Sequence, residues 1–169
     1  ANISDPGVYD FQVIVFVLNT GCSDTSSVSI TVEDKATVGD FTFIDENFNG
    51  VQDAGEVGVN GIDVTIYDAN TDEEIGSTIS STNNGNPGYY QFEVCKGEYY
   101  IIFGELDNFE RSPKDATSEN LDSDAGENNG RTDDFTLSPG ESNQTIDAGY
   151  STVADLNLVK QVNDATPSV

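Results

Sequence analysis

Short apolar runs that alternate with polar residues recur along this chain, a pattern typical of β-strands with one buried face. The first such run covers residues 8–18. Residues 28–32 show strict alternation, after a turn-like segment at residues 19–24. Together they predict a β-hairpin. Because two strands alone are marginally stable in water, we expect residues 1–34 to end a larger sandwich or to pair with another sheet.

Seven further strands are predicted in the middle of the chain. They span residues 38–44, 62–68, 75–81, 88–95, 98–104, 133–138 and 143–149. Within the second of them, Ile62, Val64 and Ile66 are expected to face the core. Turn residues predict hairpin turns at 83–85 and at 96–97. Short strands separated by such turns predict an all-β fold, an Ig-like antiparallel β-sandwich.

Residues 105–132 carry almost no apolar side chains and are dense in Asp, Glu, Asn and Ser. Such a segment cannot order itself by burying apolar surface, and a long structureless loop is uncommon inside a compact domain. We therefore expect an external factor to order it.

Towards the end of the chain, residues 154–160 begin a new alternating strand that has no partner within the sequence. The chain is interpreted as the end of one β-domain at residues 1–34, a complete β-sandwich at 35–151, and the first strand of a following β repeat at 152–169. This organisation is typical of a slice through a tandem array. In the alternative interpretation, a neighbouring chain completes the two flanking pieces.

The chain has 31 Asp and Glu residues against six Lys and Arg, which gives a formal net charge of −25 over 169 residues. Proteins bind nucleic acids through clustered basic residues, so this balance argues against nucleic-acid binding and against attraction to an anionic membrane. Histidine is absent, which removes His-based acid–base catalysis and His-ligated zinc sites. No run approaches the roughly 20 apolar residues of a membrane-spanning helix, so direct membrane insertion is not expected. Such strong self-repulsion favours bound cations.

Two cysteines, Cys22 and Cys95, are too few for a disulfide framework, and no Cys-x-x-Cys pair marks a zinc or redox site. Cys22 lies near a turn and Cys95 at the end of a predicted strand. They either bridge two parts of the chain in an oxidising compartment or remain small buried thiols.

Residues 45–56 form a twelve-residue segment with the spacing of an EF-hand calcium loop. Calcium takes six to eight oxygen ligands at about 2.3–2.6 Å, and a loop that turns at Gly50 directs alternate residues inward. The predicted ligands are the side chains of Asp45, Asn47, Asn49, Asp53 and Glu56 and the main-chain carbonyl of Val51. Magnesium is disfavoured because it requires a smaller octahedron and gives up its water reluctantly.

Two other structures are compatible with parts of this pattern, a plain turn and a helical EF-hand. The Asp-x-Asn-x-Asn-Gly run also forms plain turns in which Asx side chains accept hydrogen bonds from the main chain. Agreement at all six positions favours calcium over such a turn. An ordinary helical EF-hand is disfavoured, since residues 40–44 before the loop read as a strand and residues 58–61 after it as a turn. We therefore expect the loop to be mounted on a β scaffold.

Asp122 and Asp124 place two carboxylates one residue apart in the acidic segment, enough for half of a calcium coordination shell. The other ligands of this second site are expected from strand ends that the fold brings nearby. The candidates are Asp133, Asp134, Asp147 and Asp40. The alternative is a solvated acidic loop without an ion. Ordering so charged a segment without a cation is costly, which favours the metal.

Several motifs in the central part of the chain together resemble the B-type repeat of serine-aspartate-repeat adhesins. They are Val38–Asp45, Asn49–Asp53, Glu56, Gly58, Asn60–Ile62, Gly88–Phe92, Gly97–Tyr99, Gly130–Asp133, Leu137, Gly140 and Asp147–Tyr150. The resemblance implies a calcium-loaded, Cna-B-like β-sandwich that acts as a rigid spacer, with further calcium in the acidic region. The hairpin at residues 8–32 is similar to the last hairpin of PKD-like repeats, and residues 154–160 resemble the first strand of another bacterial surface repeat.

We therefore expect a calcium-stabilised spacer module of a large secreted adhesin or filament on the bacterial cell surface. Its expected partners are neighbouring repeats of the same polypeptide and, in a filament, identical chains. The alternative is a ligand-binding module in which Tyr89, Tyr99 and Tyr100 or the acidic loop contact a carbohydrate or a protein. Enzyme activity is not expected, because no pocket-forming sequence sets two carboxylates apart for acid-pair hydrolysis.

Overall fold

The computed structural model describes residues 5–152, and these form fourteen β-strands and no helix. The strands are β1 (Gly7–Phe16), β2 (Ser23–Val32), β3 (Ala36–Val38), β4 (Thr42–Ile44), β5 (Asp63–Asp68), β6 (Glu74–Ile79), β7 (Ser81–Asn83), β8 (Asn86–Tyr89), β9 (Phe92–Val94), β10 (Gly97–Phe103), β11 (Phe109–Arg111), β12 (Phe135–Leu137), β13 (Ser142–Asn143) and β14 (Ala148–Thr152). The predicted all-β class is confirmed.

Residues 36–152 build a β-sandwich. One side is a four-stranded antiparallel sheet in the order β12-β10-β5-β6. The other side consists of two three-stranded sheets, β11-β14-β4 and β13-β3-β9. Their side chains meet in one apolar cluster, which contains Val64 and Ile101 of the first sheet and Val38 and Tyr150 of the others. This arrangement agrees with the predicted Ig-like sandwich.

The alternation of apolar residues predicted around β5 is confirmed. Ile62, Val64 and Ile66 are fully buried, whereas Asp63 is exposed. Removing a side chain of this size from water contributes about 1.5–3 kcal/mol. The period-2 pattern therefore identifies the strand that anchors the core.

Tyr90 packs at the centre of the sandwich. Its ring lies edge-on to Phe103, with centroids 5.4 Å apart, and at a steep angle to Phe92 at 6.0 Å. Its hydroxyl donates a hydrogen bond to the carbonyl oxygen of Ile146, so the one polar group of this buried side chain has a partner. Tyr90 thereby ties the middle of the chain to the segment that precedes β14.

Four of the predicted strands are wrong as single strands, because each consists of two shorter ones. They divide into β3 and β4, β6 and β7, β8 and β9, and β13 and β14. The two members of each pair belong to different sheets. A break at these points lets the chain change sheets at a corner of the sandwich, and apolar alternation carries no signal for such a change.

The two predicted hairpin turns have different outcomes. The turn at 83–85 is confirmed: β7 and β8 pair, and Asn84 and Gly85 both have positive φ, 50° and 87°, as a type I′ turn requires. The hairpin turn predicted at 96–97 is wrong. It joins β9, which pairs with β3, to β10, which pairs with β5 and β12. This turn carries the chain from one side of the sandwich to the other.

The first and last long segments of the sandwich run side by side in the same direction. β3 pairs in parallel with β13, and β4 pairs in parallel with β14, although the sequence predicted antiparallel pairing. Thr37 lies opposite Ser142 and Thr42 opposite Ala148, so the offset between paired residues differs by only one residue between the two strand pairs. The chain therefore enters the sandwich at one end and leaves it at the other.

The predicted hairpin at the start of the chain is confirmed as β1 and β2, which form a separate two-stranded antiparallel sheet. Phe11 lies opposite Val28, and Tyr9 lies opposite Ile30. These four side chains share one apolar face, and Phe11, Val28 and Ile30 are exposed. That residues 1–34 end a larger sandwich, and the domain boundaries themselves, stay predictions.

Two other sequence expectations concern the cysteines and the chain end. Cys22 and Cys95 are both free and exposed. No bridge joins them in this structure, and the expectation of buried thiols is wrong, because one lies in the β1–β2 turn and the other between β9 and β10. The strand predicted at 154–160 lies outside the described residues.

Residues 105–132 are folded onto the sandwich. They include β11, which the sequence did not predict and which pairs with β14. Asp122, Ser123 and Ala125 are buried although their surroundings in the sequence are polar. The segment is held by main-chain hydrogen bonds to neighbouring loops and strands rather than by a large apolar face.

Candidate calcium sites

Asp45 begins the predicted calcium loop directly after β4 and is fully buried. Its amide donates a hydrogen bond to the Tyr150 carbonyl at 2.9 Å, which fixes the loop to the last strand. Its carboxylate accepts hydrogen bonds from the amides of Gly50 at 2.8 Å and Asn49 at 3.2 Å. These bonds curl the first half of the loop around the Asp45 carboxylate.

Gly50 occupies the sixth loop position for two reasons. Its φ of +74° lies in the left-handed region, where the backbone of residues other than glycine is strained. In addition, a Cβ at this position would lie 2.2 Å from the carbonyl oxygen of Pro113. The glycine predicted from loop spacing is therefore also required by close packing against the acidic segment.

Asp53 stands at the centre of a network of amide groups. Its Oδ2 accepts hydrogen bonds from the side-chain amides of Asn47 at 2.8 Å and Asn49 at 2.9 Å. The amide oxygens of the same two residues accept hydrogen bonds from main-chain N–H groups within the loop. Amide orientation follows the local hydrogen-bond network, so we expect a cation beside Asp53 to turn both amide oxygens towards it.

Glu56 closes the loop from its other end. Its Oε1 accepts a hydrogen bond from the Glu46 amide at 2.9 Å, and its Oε2 accepts one from the Asp53 amide at 2.9 Å. One carboxylate thus joins the beginning of the loop to its end. In an EF-hand loop the twelfth residue binds calcium through both carboxylate oxygens, and Glu56 occupies that sequence position.

All six predicted ligand residues therefore lie together in one folded loop. Within residues 5–152, no three Asp, Glu or Cys side chains converge closely enough to hold a metal ion by themselves. A cation in this loop consequently needs the amide oxygens of Asn47 and Asn49 and the carbonyl of Val51 in addition to carboxylates. A hard ion such as calcium accepts this mixture of oxygens, and calcium binding stays a prediction.

The loop is joined to the acidic segment through main-chain contacts. The amide of Gln52 donates a hydrogen bond to the Leu121 carbonyl at 2.6 Å. Val51 and Asp122 lie opposite each other in an isolated antiparallel bridge. An ion that fixes the loop would therefore fix the middle of the acidic segment as well.

Three residues of the predicted second site lie near one another in the structure, although the carboxyl groups of residues 5–152 do not converge closely enough to hold an ion by themselves. The amide of Asp147 donates a hydrogen bond to Oδ2 of Asp124 at 2.7 Å. The Asp147 carboxylate accepts a hydrogen bond from the Phe41 amide at 3.1 Å. Asp40 lies close enough for its charge to act on Asp147. These carboxyl groups come from three separate segments of the chain.

Burial and mutual repulsion make these carboxyl groups weak acids. Burial, together with the charges of Asp40 and Asp124, raises the pKa of Asp147 to about 8. Burial is also the main reason that the pKa of Asp124 is raised to about 7, and it raises the pKa of Asp40. In the described part of the chain, no Lys or Arg forms an ion pair with any of the three. A cation would supply the missing positive charge.

The carboxylate of Asp122 is buried and incompletely hydrogen-bonded. The residue is 2% exposed, and its Oδ1 has no hydrogen-bond partner among the described residues. Burial raises its pKa. A buried carboxylate oxygen without a partner is costly, and a bound cation would satisfy it.

Asp133 and Asp134, the remaining candidates for the second site, are exposed and form ion pairs. Asp133, whose side chain is 86% exposed, forms an ion pair with Lys114 at 2.7 Å, and Asp134 forms one with Arg131 at 2.6 Å. Both lie beside a cavity of about 180 Å³. The acidic residues that line the cavity are Asp115, Glu119, Asp124, Asp133 and Asp134. Asp115 and Glu119 carry no spacing signal, and only the overall acidity of their segment points to them.

The tyrosines of the alternative ligand-binding interpretation are mostly internal. Tyr99 and Tyr100 are buried, so these two rings are not available to a ligand as the alternative interpretation requires. Tyr99 packs beside Phe135, and Tyr100 stacks on Tyr67 with ring centroids 5.1 Å apart. Both faces of β10 are therefore covered, and of the three tyrosines only Tyr89 is half-exposed.

The fold and these loops define a β-sandwich module with clustered acidic residues. Comparison with known proteins gives its family: the family model of the SdrD B-like domain matches residues 36–150. Serine-aspartate repeat-containing protein F of Staphylococcus epidermidis (strain ATCC 12228 / FDA PCI 1200) is 33% identical over 128 residues, 72% of this chain and 7% of that protein. Serine-aspartate repeat-containing protein C of Staphylococcus aureus (strain MRSA252) is 32% identical over 110 residues, 63% of this chain and 12% of that protein. The chain belongs to the SdrD B-like domain family.

Family membership confirms the predicted resemblance and the predicted location at the bacterial cell surface. The chain is a repeat module of a surface adhesin, and its family is one of structural repeats rather than of enzymes. In the two relatives, the matched segment is a small part of a much longer polypeptide. Among residues 5–152, no helix has the length and apolar character that would be needed to cross a membrane.

Proposed function

We propose that this chain is a calcium-stabilised spacer that holds the functional parts of an extracellular adhesin at a distance from the cell. The observation that carries the proposal is the parallel course of residues 36–44 and 142–150, the first and last long segments of the sandwich. Because the chain enters at one end and leaves at the other, every such module adds its own length to a tandem array. A module with both termini at one end would not lengthen the array.

The rigidity of this spacer depends on cations in our proposal. Asp40, Asp124 and Asp147 lie buried or partly buried near one another, and no Lys or Arg of residues 5–152 pairs with them. Buried like charges are unfavourable unless they are protonated or compensated. Calcium would compensate them and would also reduce the repulsion that a net charge of −25 creates.

The first ion would be held by the loop of residues 45–56. Its proposed ligands are Asp45, Asn47, Asn49, Asp53, Glu56 and the carbonyl of Val51. Two observations support this assignment: Asp45 is fully buried at the first ligand position, and the Glu56 carboxylate already connects the two ends of the loop. The ion would stabilise the acidic segment through the contacts of Val51 and Gln52 with residues 121–122.

The second ion would lie beside Asp124. Asp124 lines the cavity of about 180 Å³ and also contacts Asp147. In the cavity, Asp115, Glu119 and Asp133 offer further carboxylates, and Lys114 would have to release Asp133. Asp40, Asp122 and Asp147 would contribute through their charge or through the unpartnered Oδ1 of Asp122.

The partners of the spacer follow from its place in the polypeptide. Neighbouring domains of the same chain are the first partners. Association of identical chains in a filament is an additional part of the proposal, since calcium lowers the repulsion between chains of such high negative charge.

Thermal unfolding of the full 169-residue chain tests the proposal. The chain is heated in millimolar calcium, in excess EGTA, and in EGTA with magnesium, and limited proteolysis is carried out under the same conditions. An ion bound only by the folded state raises the melting temperature by mass action. We expect a calcium-specific rise, together with protection of residues 105–132 from cleavage. Equal melting temperatures and equal cleavage in calcium and EGTA would contradict calcium stabilisation.

A further inference from the structure

A cleft of about 470 Å³ lies beside the tight β7–β8 hairpin. Its lining includes Asp40, Phe41, Asn83, Asn84, Asn86 and Tyr89. A volume of about 300–1,000 Å³ is typical of sites for small molecules. The proposed spacer role leaves the space in this cleft unused, although Asp40 and Glu56 of its lining also belong to the proposed calcium sites.

The walls of the cleft are fixed by the sandwich. Phe41 and Tyr89 lie opposite each other in an antiparallel bridge. On the adjoining wall, Gly58 approaches Pro87 so closely that a Cβ would lie 1.9 Å from the Pro87 carbonyl oxygen. The hairpin tip is held by the type I′ turn at Asn84 and Gly85. A ligand would therefore meet a cleft that is already formed, which favours binding.

The lining combines aromatic rings with amide groups. Phe41 and Tyr89 are half-exposed, and Asn83, Asn84 and Asn86 are exposed around them. Each Asn side chain offers two hydrogen-bond donors and an acceptor, and the Tyr89 hydroxyl offers one donor and acceptor capacity. The cleft thus presents an apolar surface surrounded by groups that both donate and accept.

The charges of the cleft narrow the class of ligand. Its ionisable groups besides Tyr89 are the carboxyls of Asp40 and Glu56, and no Lys or Arg among residues 5–152 lines it. An anionic ligand would be repelled by these groups and by the net charge of −25. A cationic ligand would use the acceptors but would leave the amide N–H donors of three Asn residues without a role. A neutral ligand rich in hydroxyl groups uses both kinds of group.

From this combination, we propose that the cleft binds a neutral glycan, with a sugar ring against Phe41 and Tyr89 and its hydroxyl groups bonded to the three Asn side chains. Asp40 is assigned no contact, because it belongs to the carboxyl cluster of Asp124 and Asp147. Glu56 is assigned no contact, because its carboxylate joins the two ends of the calcium loop. The module would then contribute adhesion along the length of the array in addition to spacing.

A glycan array tests this inference with the labelled full chain in calcium and in EGTA, and the neutral glycans that bind are then titrated by calorimetry. Two variants remove the proposed contacts. Asn84→Gly deletes one amide while keeping the positive φ of the turn, and Tyr89→Leu deletes the ring and the hydroxyl. We expect each variant to weaken binding at least tenfold.

Asn108→Gly serves as the matched control, since Asn108 is also exposed and also has a positive φ, 66°, but does not line the cleft. We expect its affinity to equal that of the unmodified chain. Circular dichroism melts of all variants separate lost binding from lost folding. No binding to any neutral glycan, preference for sulfated or sialylated glycans, binding of basic peptides instead, or equal affinity of all variants would each overturn the inference. The calcium melts are scored separately, so failure of the spacer proposal is distinguishable from failure of this one.

Discussion

Asp124 and Asp147 are joined by two reciprocal hydrogen bonds, each donated by a main-chain amide. The Asp147 amide donates to Oδ2 of Asp124 at 2.7 Å, and the Asp124 amide donates to the carbonyl oxygen of Asp147 at 2.8 Å. These bonds hold the two residues next to each other, so ionisation of both buried carboxyl groups places two negative charges close together. The acidic segment is therefore hydrogen-bonded to the residue before β14 through a pair of buried carboxyl groups that no Lys or Arg of residues 5–152 pairs with.

Without calcium, the free energy of unfolding should fall as pH rises from about 5 to about 8. The folded-state pKa of Asp147 is about 8 and that of Asp124 about 7, both raised mainly by burial from 3.8. Between these values the folded state keeps protons that the unfolded chain releases, so higher pH favours unfolding. We expect a loss of at least about 1.4 kcal/mol, the equivalent of one pKa unit. Urea unfolding in EGTA at several pH values measures it.

The variant Asp147→Asn supplies the matched comparison for this pH dependence. Its side chain still accepts the hydrogen bond from the Phe41 amide but carries no titrating group. In EGTA it should be more stable than the unmodified chain at pH 8 and should show a flatter pH dependence, whereas Asp107→Asn, at an exposed position of the acidic segment, should change neither. Stability that rises with pH in EGTA would contradict the prediction.

Loss of loop carboxylates should remove calcium stabilisation. Asp45→Asn and Glu56→Gln each delete one negative ligand charge while keeping the size of the side chain, and we expect each to weaken calcium binding at least tenfold, about 1.4 kcal/mol. Calcium titration followed by calorimetry measures the change. Glu46→Gln is the control, because Glu46 lies in the same loop, is exposed, and is not a proposed ligand. If all three variants bind calcium alike, the ion is not held by this loop.

Substitution of Gly50 should destabilise the chain more than substitution of Gly55, although both glycines lie in the same loop with positive φ. Gly55→Ala meets no atom of the described residues within 4 Å, so only the conformational cost of its positive φ is expected, about 1–3 kcal/mol. Gly50→Ala adds a contact of 2.2 Å with the Pro113 carbonyl, so the acidic segment has to shift. We expect at least about 2 kcal/mol more destabilisation, a size typical of overpacking. Urea unfolding in EGTA compares the two variants, and equal losses would argue against tight docking of the loop on Pro113.

Local patterns in the sequence predicted the features that depend on neighbouring residues. The alternation of Ile62, Val64 and Ile66 predicted a buried strand, and the dipeptide Asn84-Gly85 predicted a type of turn whose backbone other residues adopt with difficulty. The loop of residues 45–56 also folds as one unit, because its spacing is itself a local property. These features need no knowledge of the rest of the chain.

Features that depend on distant segments were not predicted. Apolar alternation continues through residues 38–44 although the chain changes sheets there, since each half finds a buried position on a different sheet. Tyr67 and Arg131 cover the Tyr100 ring from another strand and from the acidic segment, and no local pattern indicates either contact. Asp115 lines the acidic cavity only because the fold places its segment beside Asp124 and Asp133.

The parallel arrangement of the first and last segments predicts a fixed separation between the two ends of the sandwich. Spin labels attached at Lys35→Cys and Thr152→Cys report this distance by pulsed electron paramagnetic resonance. The native cysteines are removed by Cys22→Ser and Cys95→Ser. About ten residues of extended chain separate the two positions along the strand direction, which gives about 30 Å. In calcium we expect a single narrow distribution near this value. In EGTA we expect it to broaden, because the uncompensated carboxyl groups of Asp124 and Asp147 loosen the last strand. A separation below about 20 Å, or equally broad distributions in both conditions, would contradict a calcium-stiffened spacer.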